Sequence, residues 1–517
     1  MKDIRCAVGL PGSILLVTLL LLLLLPSCSS PAPEGAGAAT ITVGLEANPT
    51  SLDPRHATGA AAVRIIPLLF NSLVTLDPSG LVVPEIAESW ENPSDTEYLF
   101  HLRRGVLFHD GHELTSKDVK YTYDYMRDPA NGSPNQGTLS MITSIETPDP
   151  STVTFRLNEP FASFLNNLSL GIVPSHLAGR EDFMDSPVGS GSFRWGEWRI
   201  GEKIVLVANG EYWEGAPSLD RVVFRIVENE TTRLLEAEKG RLDLLWNSVP
   251  PYAVEKTRRI PGLGVYTRPG ITYQYLGFNL EDPALSNRGV RRAVAHAINR
   301  DRIIRHLYNG LGREATGLLA PENWAYEGDV RTYGYDPAEA ERLLDEAGFP
   351  RGEGGVRLHL TYKTSTNRQA NETADLIAED LSAVGIKVER RAFEWGTFYG
   401  DIKAGNFQLY SLRWVGITDP DTLRYVFHSE SLPPTGANRG RYRNAEVDEL
   451  LDRSRRELDT GARKAIFSRI QKILAEDSVY VSLWYPDDIY ALSDRFEGFQ
   501  AFPGGQYTSL KKVRLRR

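Results

Sequence analysis

The sequence predicts a mixed α/β fold, and three observations carry that prediction. Stretches with two-residue apolar alternation give way repeatedly to stretches with apolar residues three and four apart. One such run is a complete strand, helix and strand in succession. No similarity recurs at 20 to 50 residues, which argues against a solenoid or a propeller. With 517 residues, 41% hydrophobic and 24% charged, the chain has the composition of a folded globular protein and enough length for several cores.

The first element is a leader. Lys2 and Arg5 precede an uncharged apolar run from Ile14 to Leu25, which breaks at Pro26, Ser27 and Cys28. A positive start, an apolar middle and a small residue before the break make a secretory signal. The alternative is an uncleaved membrane anchor, although the run is shorter than the roughly 20 residues a spanning helix needs. Either way the folded part lies outside the cytoplasm. The only cysteines are Cys6 and Cys28, so a mature domain has no disulfide framework, no cysteine nucleophile and no Cys-ligated zinc. Residues 28–39 are small, Pro-rich and Gly-rich, the composition of a flexible tether.

From Thr40 strands and helices alternate. The segment ITVGLEA reads as a strand, and the turn-rich NPTSLDP leads to an apolar stretch from Ala60 to Leu73. Tyr98, Phe100 and Leu102 alternate with polar neighbours, and turns at Arg104-Gly105 and at HDG make this part a meander. Thr115 is placed to cap a following helix, with Asp118 three residues on and Val119 to Met126 as its body. The second half is more regular. A helix is expected over Val290 to Ile298, and another enters at Asp336-Pro337 and stops at Gly348. VRLHLTYKT, ETADLIAEDLSAV and the strand after Gly385 form the strand, helix and strand unit, with Ala374, Ile377, Leu381 and Val384 on one helical face. A last helix over Ala465 to Leu474 precedes the strand VYVSLWY.

Charge and motifs exclude several functions. A net charge of -9 gives no general attraction to nucleic acid. The chain has no GxxxxGK[ST], HExxH, GxSxG or EF-hand pattern. His109 and His112 in FHDGHE have the residue type for a metal, yet the segment reads as a tight turn between a strand and a helix, so no metal or cofactor is assigned. Gly189 and Gly191 in SPVGSGSF read as a loop, since no helix pattern follows them. Among nine tryptophans, Trp195, Trp198, Trp395, Trp414 and Trp484 lie beside loops or strand ends, where a cleft would sit.

PEIAESWENPSDTEYLFHLRRGVLFHDGHELTSKDVKYTYDYM resembles the hallmark segment of the family-five solute-binding proteins of bacterial ABC importers, oligopeptide- and dipeptide-binding lipoproteins among them. SPVGSGSF, NGEYWEGAPSLDRVVF, NRGVRRAVAHAINRDRII, YDPAEAERLLDEAGF, LSAVGIKVE, FEWGTF and DPD agree in the same order. The resemblance implies a type II periplasmic-binding-protein clamp. Residues 40–84, 186–274 and 490–517 would form the first lobe, 85–185 an inserted domain and 275–489 the second lobe. Crossings near Tyr275 to Asn279 and Pro486 to Tyr490 would act as the hinge. It further implies a monomeric receptor, not an enzyme, that is held to the membrane by lipid on Cys28. Its partners would be a peptide or similar organic solute, and permease subunits with a separate ATPase.

The implied ligand site follows the family's matching positions. Trp395 of Glu394-Trp395, Trp414 with Gly416, the pair Trp484 and Tyr485, and the first-lobe loop Thr58-Gly59-Ala60 would line the cleft. Flat aromatic walls exclude water while leaving side-chain identity free. Two departures bear on the ligand. Peptide binders of this type carry an aspartate, for the peptide ammonium, where this chain has Ile417; Asp419 is the nearest carboxylate. Dipeptide binders use an arginine for the ligand carboxylate where this chain has Lys363-Thr364, with Arg368 close by. A free dipeptide is therefore a poor match, and a longer or blocked peptide, a sugar or a metal chelate stays open. Two other functions are compatible with these residues. In a secreted hydrolase Asp419 and Asp421 would be the carboxylate pair, and a scaffold or chaperone would use the same cleft.

Overall fold

The computed structural model describes residues 39–516 except 78, 79, 178, 181, 182, 184, 185, 247, 503 and 504. The leader, the tether up to Ala38 and the lipid-attachment position Cys28 lie outside the described residues. Among the described residues no helix is long and apolar enough to cross a membrane.

Two large mixed sheets dominate. The seven-stranded sheet has the order Leu263–Arg268, Asp488–Ser493, Leu244–Trp246, Thr40–Leu45, Arg221–Ile226, Lys203–Ala208 and Phe193–Arg199. Thr40–Leu45 runs parallel to both of its neighbours and alternates into a core with Ile41, Val43 and Leu45 fully buried. A strand covered on both faces needs such a run of β-branched and aliphatic side chains. The six-stranded sheet has the order Gly312–Glu314, Tyr480–Pro486, Tyr273–Phe278, Leu409–Trp414, Leu358–Ser365 and Ile386–Phe393.

The strand, helix and strand unit lies at the edge of the second sheet. Leu358–Ser365 and Ile386–Phe393 pair in parallel around the helix Arg368–Ala383. Ala374, Ile377, Leu381 and Val384 are all fully buried against that sheet, as the three-and-four spacing requires. Gly385 takes a left-handed φ of 86°, which ends the helix without the Cβ clash another residue would bring. The helix Pro337–Glu346 begins where Asp336 accepts from the Glu339 amide at 3.0 Å.

A four-stranded antiparallel sheet, Ala87–Ser94, Glu97–Leu102, Thr152–Leu157 and Ile142–Asp149, has its own core around Phe100, Phe155 and Tyr123. Asp118 accepts from the Thr115 amide at 2.8 Å and opens the helix Ser116–Arg127. The expected continuation of the meander is weaker than the alternation suggests: Leu107 and Glu113 make only an isolated bridge.

SPVGSGSF is a loop pressed against the helix Ala60–Leu69. A Cβ on Gly189 would stand 1.9 Å from the Leu69 carbonyl oxygen, and one on Gly191 2.3 Å from that of Leu68, so only glycine allows this approach. His109 is tied to the same loop. Its Nε2–H donates to the Gly191 carbonyl at 3.1 Å, and its Nδ1 accepts from the Gly189 amide at 3.3 Å. Burial pushes its pKa down to about 4, which fixes a neutral imidazole with a packing role.

Two short segments join the large sheets: residues 269–272 and Asp487, each between a strand of one sheet and a strand of the other. Tyr275 to Asn279, expected at the first crossing, lie past it. Tyr275 and its neighbours are inside the strand Tyr273–Phe278, paired on both sides.

Candidate ligand-binding cleft

The aromatic positions divide into two groups. Trp395 opens the helix Trp395–Ala404, where Glu394 accepts from the Gly396 amide at 2.7 Å. An indole on the first turn projects past the helix end, and Trp395 is 53% exposed. Its ring stacks on Tyr399 one turn later at 5.4 Å and 6°. Trp414 closes the strand Leu409–Trp414, and Gly416 just beyond it has a φ of 68°.

Between these rings sits Arg439, which sequence reasoning missed. Its guanidinium carbon is 4.9 Å from the Trp414 ring centre and 5.6 Å from that of Tyr399. It donates to the Tyr275 hydroxyl at 3.1 Å and the Tyr399 hydroxyl at 3.2 Å. Arg439 is 7% exposed, yet no carboxylate pairs with it among the described residues. Burying a cation costs several kcal/mol after relaxation, and cation–π contacts return about 2 kcal/mol when desolvated. The indole N–H of Trp414 is also buried without an acceptor among the described residues. The cluster has hydrogen-bond donors in excess.

The other basic side chains near the expected carboxylate position are neutralised. Lys363 meets Asp401 at 2.6 Å, and Arg368, on an exposed helix turn, meets Glu372 at 2.8 Å. Thr364 is buried and donates to the Asn371 side-chain oxygen at 2.9 Å.

Two of the expected wall residues, Trp484 and Tyr485, and the departure residue Ile417 are buried. Trp484 is fully buried in the core of the second sheet, edge-on to Tyr308 at 5.3 Å. Tyr485, 1% exposed, faces the opposite side of the same strand, and its hydroxyl lies 2.6 and 2.8 Å from the carbonyl oxygens of Gly317 and Leu319, with its one proton to donate between them. Strand Tyr480–Pro486 is flanked by strands on both sides and covered on both faces, so adjacent residues enter two cores rather than a cleft. Ile417 is 7% exposed and packs with the core around Phe398 and Tyr410.

Asp419 has partners of its own. Its two oxygens accept from Ser163 at 3.0 Å and Asn166 at 2.5 Å, both in the segment that follows the four-stranded sheet. Arg463 also donates to Ser163 at 2.6 Å. The Asp419 loop is thus a junction between that segment and the second large sheet's layer, with its carboxylate already satisfied. Asp421 is tucked behind it. Burial first, and the Asp419 charge second, push its pKa up to about 6. Both aspartates lie on one turn, where Asp419 accepts from the Asp421 amide at 2.9 Å. They do not face each other across a substrate space.

Thr58, Gly59 and Ala60 are exposed at the start of the helix Ala60–Leu69, and Gly59 there has a φ of 89° without a side-chain cap.

A fold of two large mixed sheets joined by two short crossings, with a small antiparallel sheet between strands of the first, is that of a type II binding-protein clamp. The chain belongs to the bacterial extracellular solute-binding proteins, family 5, whose middle region matches residues 82–431. It is 28% identical to the oligopeptide-binding protein AppA of Bacillus subtilis, over 96% of each chain. It is 29% identical to heme-binding protein A of Haemophilus influenzae, covering 92% of this chain and 90% of that one. The solved structure of DppA from Helicobacter pylori in complex with the peptide STSA is 28% identical, with a TM-score of 0.77 over 92% of this chain and 98% of that one.

Proposed function

We propose that this protein is the receptor of an ABC importer for a peptide or similar organic solute bearing an anionic or strongly hydrogen-bond-accepting end. The observation that carries the ligand class is Arg439. A buried guanidinium that meets no carboxylate among the described residues, beside a buried indole N–H that meets no acceptor among them, is complementary to a carboxylate or similar acceptor. Ile417, where an ammonium would need an anion, points the same way.

In this reading the two large sheets belong to lobes that close over the solute, and residues 85–185 form an inserted domain. Trp395, Tyr399 and Trp414 supply the aromatic wall, and Thr58 to Ala60 offer backbone donors from the opposite lobe. Closure is a population shift set by the ligand's differential affinity. Cys28 carries the lipid, residues 28–39 are the tether, and a monomer presents the closed form to the permease. Relatives named for peptides and for heme support a cleft that this family adapts to different solutes.

The test is native mass spectrometry of the mature protein to identify retained solute. Thermal shift then compares pairs of peptides with a free or an amidated C-terminus, on wild type and Arg439→Gln. A ligand at 100 times its Kd adds about 2.7 kcal/mol of stability. Free-acid peptides are expected to stabilise the wild type and lose that effect in Arg439→Gln. Equal stabilisation by both members of each pair sinks the anionic-end assignment.

A further inference from the structure

We infer a transition-metal site at the protein surface, built from Asp110 and His112 in the turn at 108–112 and His176 in the short helical turn Ser175–Leu177. It is distinct from the solute cleft and owes nothing to the pairing the sequence offered. FHDGHE puts His109 and His112 three residues apart, but His109 turns inward to Gly189 and Gly191. His112 turns outward and meets a histidine 64 positions later.

Each imidazole reaches a different oxygen of one carboxylate. Asp110 Oδ1 lies 3.3 Å from His112 Nδ1, and Asp110 Oδ2 lies 2.7 Å from His176 Nε2. The three donor atoms all fall within 4.8 Å of one another. A tetrahedral ion with bonds of about 2.0–2.2 Å separates neighbouring donors by roughly 3.4 Å. The two Asp110–histidine spacings lie at or somewhat below that value and the histidine pair is within 4.8 Å, so rotamer adjustments bring all three onto one ion. Among the described residues this is the one group of three or more potential ligands at such spacing.

The backbones that carry these donors are held in place. Around Asp110 and His112, the Phe108 amide donates to the His112 carbonyl at 2.8 Å and the Gly111 amide to the Phe108 carbonyl at 2.9 Å. The Asp110 carboxylate accepts from the His112 amide at 3.3 Å. Beside His176, Ser175 donates through both its amide and its hydroxyl to Asp118 Oδ1, each at 2.8 Å. Asp118 is itself buried and caps a helix through its other oxygen. The two rings stand 4.1 Å apart, so the donors are gathered before any ion arrives.

Two imidazoles and one carboxylate suit Zn2+, Ni2+ or Cu2+, and do not suit Mg2+ or Ca2+, which take all-oxygen shells. The site is exposed, so the remaining coordination positions go to water. A bound ion would clip the turn at 108–112 to the short helical turn Ser175–Leu177, joining segments far apart in the chain. The open positions would also let a second, external ligand bind the ion.

The experiment uses mature protein without a polyhistidine tag. Isothermal titration with ZnCl2 is run beside MgCl2, on wild type, His112→Ala and His176→Ala. One equivalent of zinc is expected to bind and magnesium not at all. Each variant is expected to lose at least about tenfold in zinc affinity, since even an outer-shell partner's loss costs 10–100-fold. Copper electron paramagnetic resonance on the wild type gives a second reading that needs no variant: nitrogen hyperfine splitting from two imidazoles is expected. Zinc affinity unchanged in both variants, or splitting from fewer than two nitrogens, overturns the assignment.

Discussion

Trp395 and the pair Trp484-Tyr485 are aromatic side chains of similar chemistry, all expected to line a cleft, and the fold treats them in opposite ways. Trp395 stands at a helix start and is 53% exposed, whereas Trp484 and Tyr485 are 0% and 1% exposed in a strand with neighbours on both sides. A helix end lets a side chain project beyond the packed layer. A central strand of a covered sheet sends every residue into one core or the other. A similar division separates His109, tied inward to Gly189 and Gly191, from the exposed His112. Position in a layer, more than residue type, decides which side chain is free to bind.

The sharpest way to break this comparison is Trp484→Ala. Removing a fully buried indole is expected to cost about 3–5 kcal/mol, read as a shift in the urea midpoint. A loss below 1 kcal/mol would mean that Trp484 is not core.

The next test is acid. His109 is neutral in the folded protein with a pKa of about 4, while the unfolded chain takes up a proton near 6.5. The unfolded state binds more protons in that window, so stability present above pH 6.5 falls as pH drops towards 4. The expected loss is about 3 kcal/mol. His109→Gln should flatten that part of the curve, and an unchanged slope would contradict the neutral packing role.

Asp421 gives a smaller effect of opposite sign. Its pKa is raised to about 6, so the folded protein holds its proton more tightly than the unfolded chain. That contribution is present below pH 4 and lost as pH rises through 6. Asp421→Asn is therefore expected to stabilise the protein at pH 7 by about 2 kcal/mol. Destabilisation in denaturant titrations would show instead that the ionised carboxylate is satisfied.

The smallest effect belongs to Trp395→Ala. An exposed ring away from the core is expected to change stability by less than about 0.5 kcal/mol. The stabilisation given by the retained solute should fall sharply in the same variant. If solute binding is untouched, Trp395 is not part of the wall.

Much of the local structure was legible because its causes are local. The capping of the helix after Thr115, the left-handed Gly385 and the buried face of Ala374, Ile377, Leu381 and Val384 depend on residues within a turn or two of one another. The site was less legible. Trp395 and Trp414 could be named as aromatics at element ends, but their meeting at Arg439 depends on a loop more than 20 residues past Trp414. No local signal in NRGRY marks Arg439, rather than Arg441, as the buried one.

By itself, then, the sequence determined the order of elements and the alternation that builds the sheets, since backbone preferences and apolar spacing act over a few residues. The tertiary structure alone decided which polar groups found partners. It tied Asp419 to Ser163 and Asn166, turned His109 inward, brought His176 to Asp110 and, among the described residues, left Arg439 without a carboxylate. Burial and pairing depend on which distant segments pack together, and short-range pattern holds no record of that.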